Sequence, residues 1–281
     1  MGLRLLRPMI DVRPAELTAL VWSWLYIFSV LFAYYVLRPI RDDMGVAGGV
    51  ENLPWLFSGT LLGMLAINPP FAALVARLPR VKFIALAYRF FALNLLLFVV
   101  LLESASAAQN IWIGRVFFIW TSVFNLFVVS VFWALMVDVF DSEQSKRLFG
   151  LIAAGATLGG IVGSSLTAAL AKQIPAAYLL VVSAGLLEVG VYCVRRLSRL
   201  SDALIRRPVG NDDATPIGGS VLAGVSHALK SPYLVNVSLF LLLFAITSTF
   251  LYFQQAEIAK QYFADRGSRT AFFARIDLCV N

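Results

Sequence analysis

Residues 117–170 read FFIWTSVFNLFVVSVFWALMVDVFDSEQSKRLFGLIAAGATLGGIVGSSLTAAL. A long apolar helix comes first, with Thr121, Ser122, Asn125 and Ser130 set among Phe and Val. A charged elbow follows, carrying Asp138, Asp141, Glu143, Lys146 and Arg147, and then a second helix crowded with small residues. In that second helix Gly155, Gly159 and Gly163 recur at every fourth position. Lipid tails are as apolar as leucine, so little hydrophobic force draws helices together in a bilayer, and glycines at this spacing let two backbones approach closely. A polar stripe on one span and a glycine seam on the next are expected of a packed transmembrane core.

The rest of the chain agrees. Of its 281 residues 60% are hydrophobic and 14% charged, and the mean hydropathy is +0.81. Long uncharged apolar runs at this composition mean membrane-spanning helices rather than a soluble domain. The runs fall at 17–37, 53–75, 83–102, 111–137, 148–171, 177–197 and 233–253, each with the roughly 20 residues a bilayer requires. Between the first two lies a polar link, with Arg38, Arg41, Asp42, Asp43 and a Gly48-Gly49 turn, and Asn68-Pro69-Pro70 is expected to break the second span. The segmentation is a leader at 1–16, six helices at 17–197, a basic linker at 198–232 and a further segment at 233–281.

Charge placement sets an orientation. The net charge is +7, but the Lys and Arg residues sit between apolar runs instead of forming one basic face, so nucleic acid is excluded as a partner and lipid takes its place. Arg4, Arg7, Arg13, Arg77, Arg80, Lys82, Lys146, Arg147, Arg195, Arg196, Arg199, Arg206 and Arg207 fall in segments on one side. By the positive-inside rule that side is cytoplasmic, with the N-terminus, in a multi-pass protein of an inner membrane. Residues 221–229 form a candidate amphipathic helix on the membrane surface.

Several chemistries find no support. There is no Gly-x-x-x-x-Gly-Lys-Ser/Thr loop for ATP hydrolysis. The single histidine, His227, excludes a His-pair metal site, and Cys193 and Cys279 make neither a disulfide framework nor a zinc site. The expectation is a non-enzyme with no cofactor and no metal.

Two stretches resemble a known family. The run Tyr34-Tyr35-Val36-Leu37-Arg38-Pro39-Ile40-Arg41-Asp42-Asp43-Met44-Gly45-Val46 is similar to the end of the first helix of the ATP/ADP antiporter (nucleotide transporter) family of the major facilitator superfamily. Val131-Phe132-Trp133 and the elbow from Asp141 to Gly150 are similar to the fourth helix, elbow and fifth helix of the same family. The resemblance implies an all-α integral membrane bundle, namely a first six-helix lobe plus the start of a second, with the remaining C-terminal lobe expected beyond Asn281. It implies a carrier that exchanges or moves nucleotides, or a related organic anion, by alternating access. The chain departs from the pattern in two places: 121–125 lacks the acidic residue of characterised exchangers, and Ala76 and Pro79 replace the Asp and Gly of the superfamily's turn between the second and third helices.

Candidate site residues follow. Arg38 and Arg41 are three apart, so a continuing helix puts them on one face, where guanidinium forks suit phosphate oxygens, against the plain alternative that they pair with Asp42, Asp43 or lipid headgroups and anchor the first helix. Charges inside a span are costly and usually functional. Asn125 is a candidate for hydrogen bonding to a base or ribose, against the plain alternative of an interhelical bond; Asn236, Thr247, Ser248, Thr249, Gln254 and Gln255 pose the same choice. Asp138, Asp141 and Arg147 of the elbow face Arg77 and Arg80 as a candidate gate, against the alternative of a solvated turn. The rival readings of the whole chain are a carrier of a drug, sugar or amino acid, and a membrane scaffold that transports nothing.

Overall fold

The computed structural model describes residues 12–14, 16–77, 79–204 and 231–281, without the side chains of 72–77, 107 and 201–204. Arg4, Arg7, Arg206, Arg207, His227 and the surface helix expected at 221–229 lie outside the described residues. The elements are α1 (Leu17–Ala47), a 3-10 turn (Val50–Asn52), α2 (Leu53–Arg77), α3 (Arg80–Ser104), α4 (Ala107–Val139), α5 (Ser142–Leu170), α6 (Ala176–Leu204), α7 (Pro232–Tyr262) and α8 (Arg266–Val280). Among the described residues there is no strand, and α1–α7 are each long and apolar enough to cross a membrane.

Local chemistry sets the helix ends. Asp141 caps α5, its Oδ1 accepting from the Gln144 N–H at 2.8 Å while the Gln144 side chain accepts from the Asp141 N–H at 3.0 Å. That reciprocal box satisfies two orphan donors, so α5 begins at Ser142 rather than 148 and the elbow shrinks to two residues. Asp265 caps α8 through the Ser268 N–H at 2.8 Å. Gly49, at φ 95°, makes the one turn among the described residues that needs a glycine.

Three expectations are corrected. Arg38–Asp43 is no link, because α1 runs on to Ala47 and carries these charges on helix turns. The pair Pro69-Pro70 does not end α2, which continues to Arg77; prolines are tolerated in membrane helices where neighbouring groups and local adjustments re-satisfy the freed carbonyls. The seventh span does not stop at 253, since α7 extends to Tyr262 and α8 takes up at Arg266.

The core surrounds α1, which packs against α5, α6, α4 and α8. Tyr26, Tyr88, Phe117, Phe124 and Phe132 are fully buried within it. The glycine seam lies directly on α1: a Cβ at Gly155 would sit 2.9 Å from the Trp24 carbonyl, one at Gly159 2.5 Å from that of Phe28, and one at Gly163 2.8 Å from that of Phe32. Two interlocking four-residue periods thus bring the backbones together. α8 runs antiparallel to α5, with Gly267 against Ala171 and Asn281 against Gly160. A second, smaller cluster of Val46, Leu53, Leu56, Phe118, Ala256, Ala259 and Phe273 ties α7 and α8 to the bundle at the C-terminal end of α1. Towards its other end α7 is exposed.

Candidate functional site

The last three turns of α1 hold Arg38, Arg41, Asp42 and Asp43, and each meets a partner. Arg38 Nη1 lies 3.4 Å from Asp277 Oδ1 on α8. Arg41 Nη1 lies 3.3 Å from Asp42 Oδ1, and its guanidinium carbon sits 3.9 Å from the centre of the Phe118 ring. The Tyr252 hydroxyl on α7 donates to Asp42 Oδ1 at 2.9 Å. Asp43 accepts from Arg266 Nε at 3.2 Å and Arg269 Nε at 2.7 Å, both on α8. One short stretch of sequence therefore makes most of the polar contacts between the six-helix bundle and the α7–α8 hairpin.

Just beyond this seam lies an open cavity of about 390 Å³ between α1, α2, α7 and α8. Arg38, Arg41 and Asp42 line it from α1, Ser248, Thr249, Tyr252 and Gln255 from α7, and Phe273 and Asp277 from α8. Its volume is in the range of small-molecule sites. Two polar atoms of its lining residues, Arg41 Nε and Asp277 Oδ2, are buried with no hydrogen-bond partner among the described residues, where buried polar groups nearly always find one. The Arg38–Asp277 contact exceeds the 2.7–2.9 Å usual for a charge-assisted bond, which makes it the ion pair most open to replacement.

The cavity is formally balanced, with two arginines and two aspartates. An anion entering it must take a guanidinium from its carboxylate.

The other candidates sit elsewhere. Asn125 is half-buried on α4 and does not line this cavity. Thr121 and Ser122 donate to the carbonyls of Phe117 and Phe118 at 2.8 and 3.0 Å, so part of the polar stripe on α4 is satisfied within its own helix. Of the α7 polar residues, Ser248, Thr249 and Gln255 reach the cavity; Asn236, Thr247 and Gln254 do not line it.

The elbow charges are divided among different tasks. Arg80 pairs with Asp138 and also donates to the Ala134 carbonyl at 2.7 Å, joining the start of α3 to the end of α4. Arg147 instead reaches Glu16, with its Nη2 2.9 Å from Oε1, and Gln144 donates to the same oxygen at 3.1 Å. Asp141 serves as the α5 cap. Arg77 closes α2, and its side chain is outside those described. Burial alone would raise the Glu16 carboxyl, but hydrogen bonds from Arg147, the Arg13 N–H and Gln144 outweigh it and hold the group below the ordinary carboxylate value.

Sequence reasoning missed Glu16, Tyr252, Arg266, Arg269 and Asp277. The available signal was charge inside a helical period: Arg266 and Arg269 are three apart on α8, the same spacing as Arg38 and Arg41.

A family model described as Major Facilitator Superfamily matches residues 15–263. No curated protein and no solved structure matches the chain.

Proposed function

We propose that this chain, which belongs to the major facilitator superfamily and is a multi-pass secondary transporter, moves nucleotides of the ATP/ADP kind or a related phosphorylated anion. The observation that carries this reading is the position of Arg38 and Arg41 together on the wall of one cavity. A phosphate oxygen placed between them would replace Asp277 on Arg38 and share the Arg41 guanidinium with Asp42. Bidentate guanidinium–phosphate contacts favour that exchange, and Tyr252, Ser248 and Thr249 supply hydroxyls for the ribose and base. The resemblance of 34–46 to nucleotide antiporters supports the same substrate class.

Transport then follows by alternating access. The Asp43–Arg266–Arg269 cluster closes the rim at the C-terminal end of α1. With the N-terminus in the cytoplasm of an inner-membrane protein, that rim faces outward. The braces Arg80–Asp138 and Glu16–Arg147, at the opposite end, join helices of the same six-helix bundle, and they hold it rigid as it rocks. A ligand drives such rocking only through contacts that differ between the two states; displacing Asp277 from Arg38 is that difference.

The charge balance of the cavity favours a second reading, a carrier of a zwitterion such as an amino acid, which would leave all four charges paired. Thermal unfolding of the purified protein separates the two. ATP at a hundred times its dissociation constant adds about 2.7 kcal/mol of stability and raises the melting temperature, while amino acids leave it unmoved. The reverse pattern overturns the nucleotide reading.

A further inference from the structure

A further ion pair lies away from the cavity, on the outer face of α3 and α6. Arg89 Nε is 3.1 Å from Glu188 Oε1 and Arg89 Nη2 is 3.4 Å from Oε2, a two-pronged contact between the helices. The side chains are 47% and 48% exposed. Arg89 stands nine residues into α3 and Glu188 twelve residues into α6. At about 1.5 Å per residue these are about 14 and 18 Å from the helix ends, near the middle of a hydrocarbon layer about 30 Å thick. Their neighbours on this face are exposed and apolar: Leu86, Phe90 and Leu93 on α3, Val181, Val189 and Tyr192 on α6.

Charges at this depth normally face a bundle interior or a water-filled cavity. These face outward. Pairing with each other cancels their net charge but leaves about half of each side chain uncovered among apolar groups, where hydrogen-bonding groups lack water.

We propose that this face is an interface with a second copy of the chain, the two related by a two-fold axis along the membrane normal. The layout of charge carries the proposal. The patch holds a cation on α3 and an anion on α6 at similar depth, side by side. A half-turn about an axis in front of it brings Arg89 opposite the partner's Glu188, and Glu188 opposite the partner's Arg89. The patch is self-complementary, as a two-fold contact requires, and the four groups close into a square of alternating sign. Any other occupant must bring an acid and a base at matching depth and spacing; a second copy has them already. Gly185, one turn before Glu188, adds room: a Cβ there meets nothing within 4 Å, so another backbone can approach α6 closely at that turn.

The test is subunit counting by single-molecule photobleaching of the full chain in liposomes at high lipid dilution. Wild type is expected as a dimer. The variants R89E and E188R, each reconstituted alone, place like charges opposite one another and are expected as monomers. Mixed together, differently labelled, they restore opposite charges across the interface and are expected to form mixed dimers. The swap R89E/E188R, which keeps the pair inside each copy, is expected to stay dimeric. A merely intramolecular brace between α3 and α6 cannot produce rescue on mixing. Where a like-charged single fails to fold, R89L/E188L replaces it and is expected to be monomeric, since it removes every polar group from the face. A monomeric wild type, singles that stay dimeric, or mixed singles that remain monomers overturn the proposal; so does a dimeric R89L/E188L.

Discussion

Asp43→Asn isolates the contact that closes one rim of the carrier. The Asp43 side chain is 2% exposed and is held by Arg269, 11% exposed, and Arg266, 48% exposed. The half-exposed Arg266 pair contributes little, since water screens it. The Arg269 contact is the strong one, at 2.7 Å. Arg269 keeps its bonds to the carbonyls of Phe263 and Ala264 at 3.2 and 2.8 Å, and asparagine keeps one acceptor oxygen. The loss is therefore that of one hydrogen bond between charged groups, about 1.5–3 kcal/mol. In the alternating-access reading proposed above, this contact between α1 and α8 is made only while the rim is shut, and the whole loss is then expected as a shift toward the state open there. At about 1.4 kcal/mol per decade that is roughly a 10- to 150-fold change in the ratio of the two states. The assay is the rate at which an impermeant maleimide, added from the side of the α1 C-terminus, modifies a cysteine placed at Thr249 on the cavity wall. The exposed Cys279 is first replaced by serine, and Cys193 is buried. A rise of that size is expected. An unchanged rate in folded protein refutes the reasoning that Asp43 latches the rim.

Three further outcomes follow from other contacts. Gly159→Ala pushes a methyl to 2.5 Å from the Phe28 carbonyl, so the purified protein should lose about 1–3 kcal/mol, visible as a lower melting temperature, whereas Gly150→Ala, with nothing within 4 Å, should not. Asp141→Ala removes the α5 cap and should cost about 1 kcal/mol, while Asp141→Ser should restore most of it; equal melting for all three proteins would show that the cap is idle. Glu16 has its folded pKa held below the unfolded value, so its contribution is fully present above the ordinary carboxylate pKa of about 4.3 and disappears as pH falls through the folded value. The melting difference between wild type and Glu16→Gln should accordingly be constant at neutral pH and close in acid; a difference that grows in acid contradicts this.

What could be read from residue order was whatever depends on local spacing. The glycines at 155, 159 and 163 announce a close backbone contact because their period matches a helix face, although not that Trp24, Phe28 and Phe32 supply the other side. The seven apolar runs mark seven helices for the same reason. What escaped depends on partners distant in sequence. Arg38–Asp43 looks like a polar link because four charges crowd six residues; as a helix it is held by distant partners, Asp43 meeting Arg266 and Arg269 more than 220 residues further on. Asp277 had no assigned partner in the residue order, and α8 brings it to Arg38. Arg147 was assigned to the α2–α3 turn by proximity in topology, and it pairs with Glu16 because α5 packs along α1. Arg38 and Arg41 could be picked out, since i, i+3 arginines at the end of a span are visible without a partner, and Asp42 stands beside them in the chain; Asp277 could not, because only the fold brings it there.

The central claim is that Arg38 and Arg41 hold the anionic group of the substrate. It is tested most directly by uptake of labelled ATP into liposomes loaded with ADP, comparing wild type with Arg38→Gln/Arg41→Gln at equal reconstitution. The account predicts uptake by wild type that external ADP competes away, and none by the double variant. Equal ATP uptake by both proteins would contradict it.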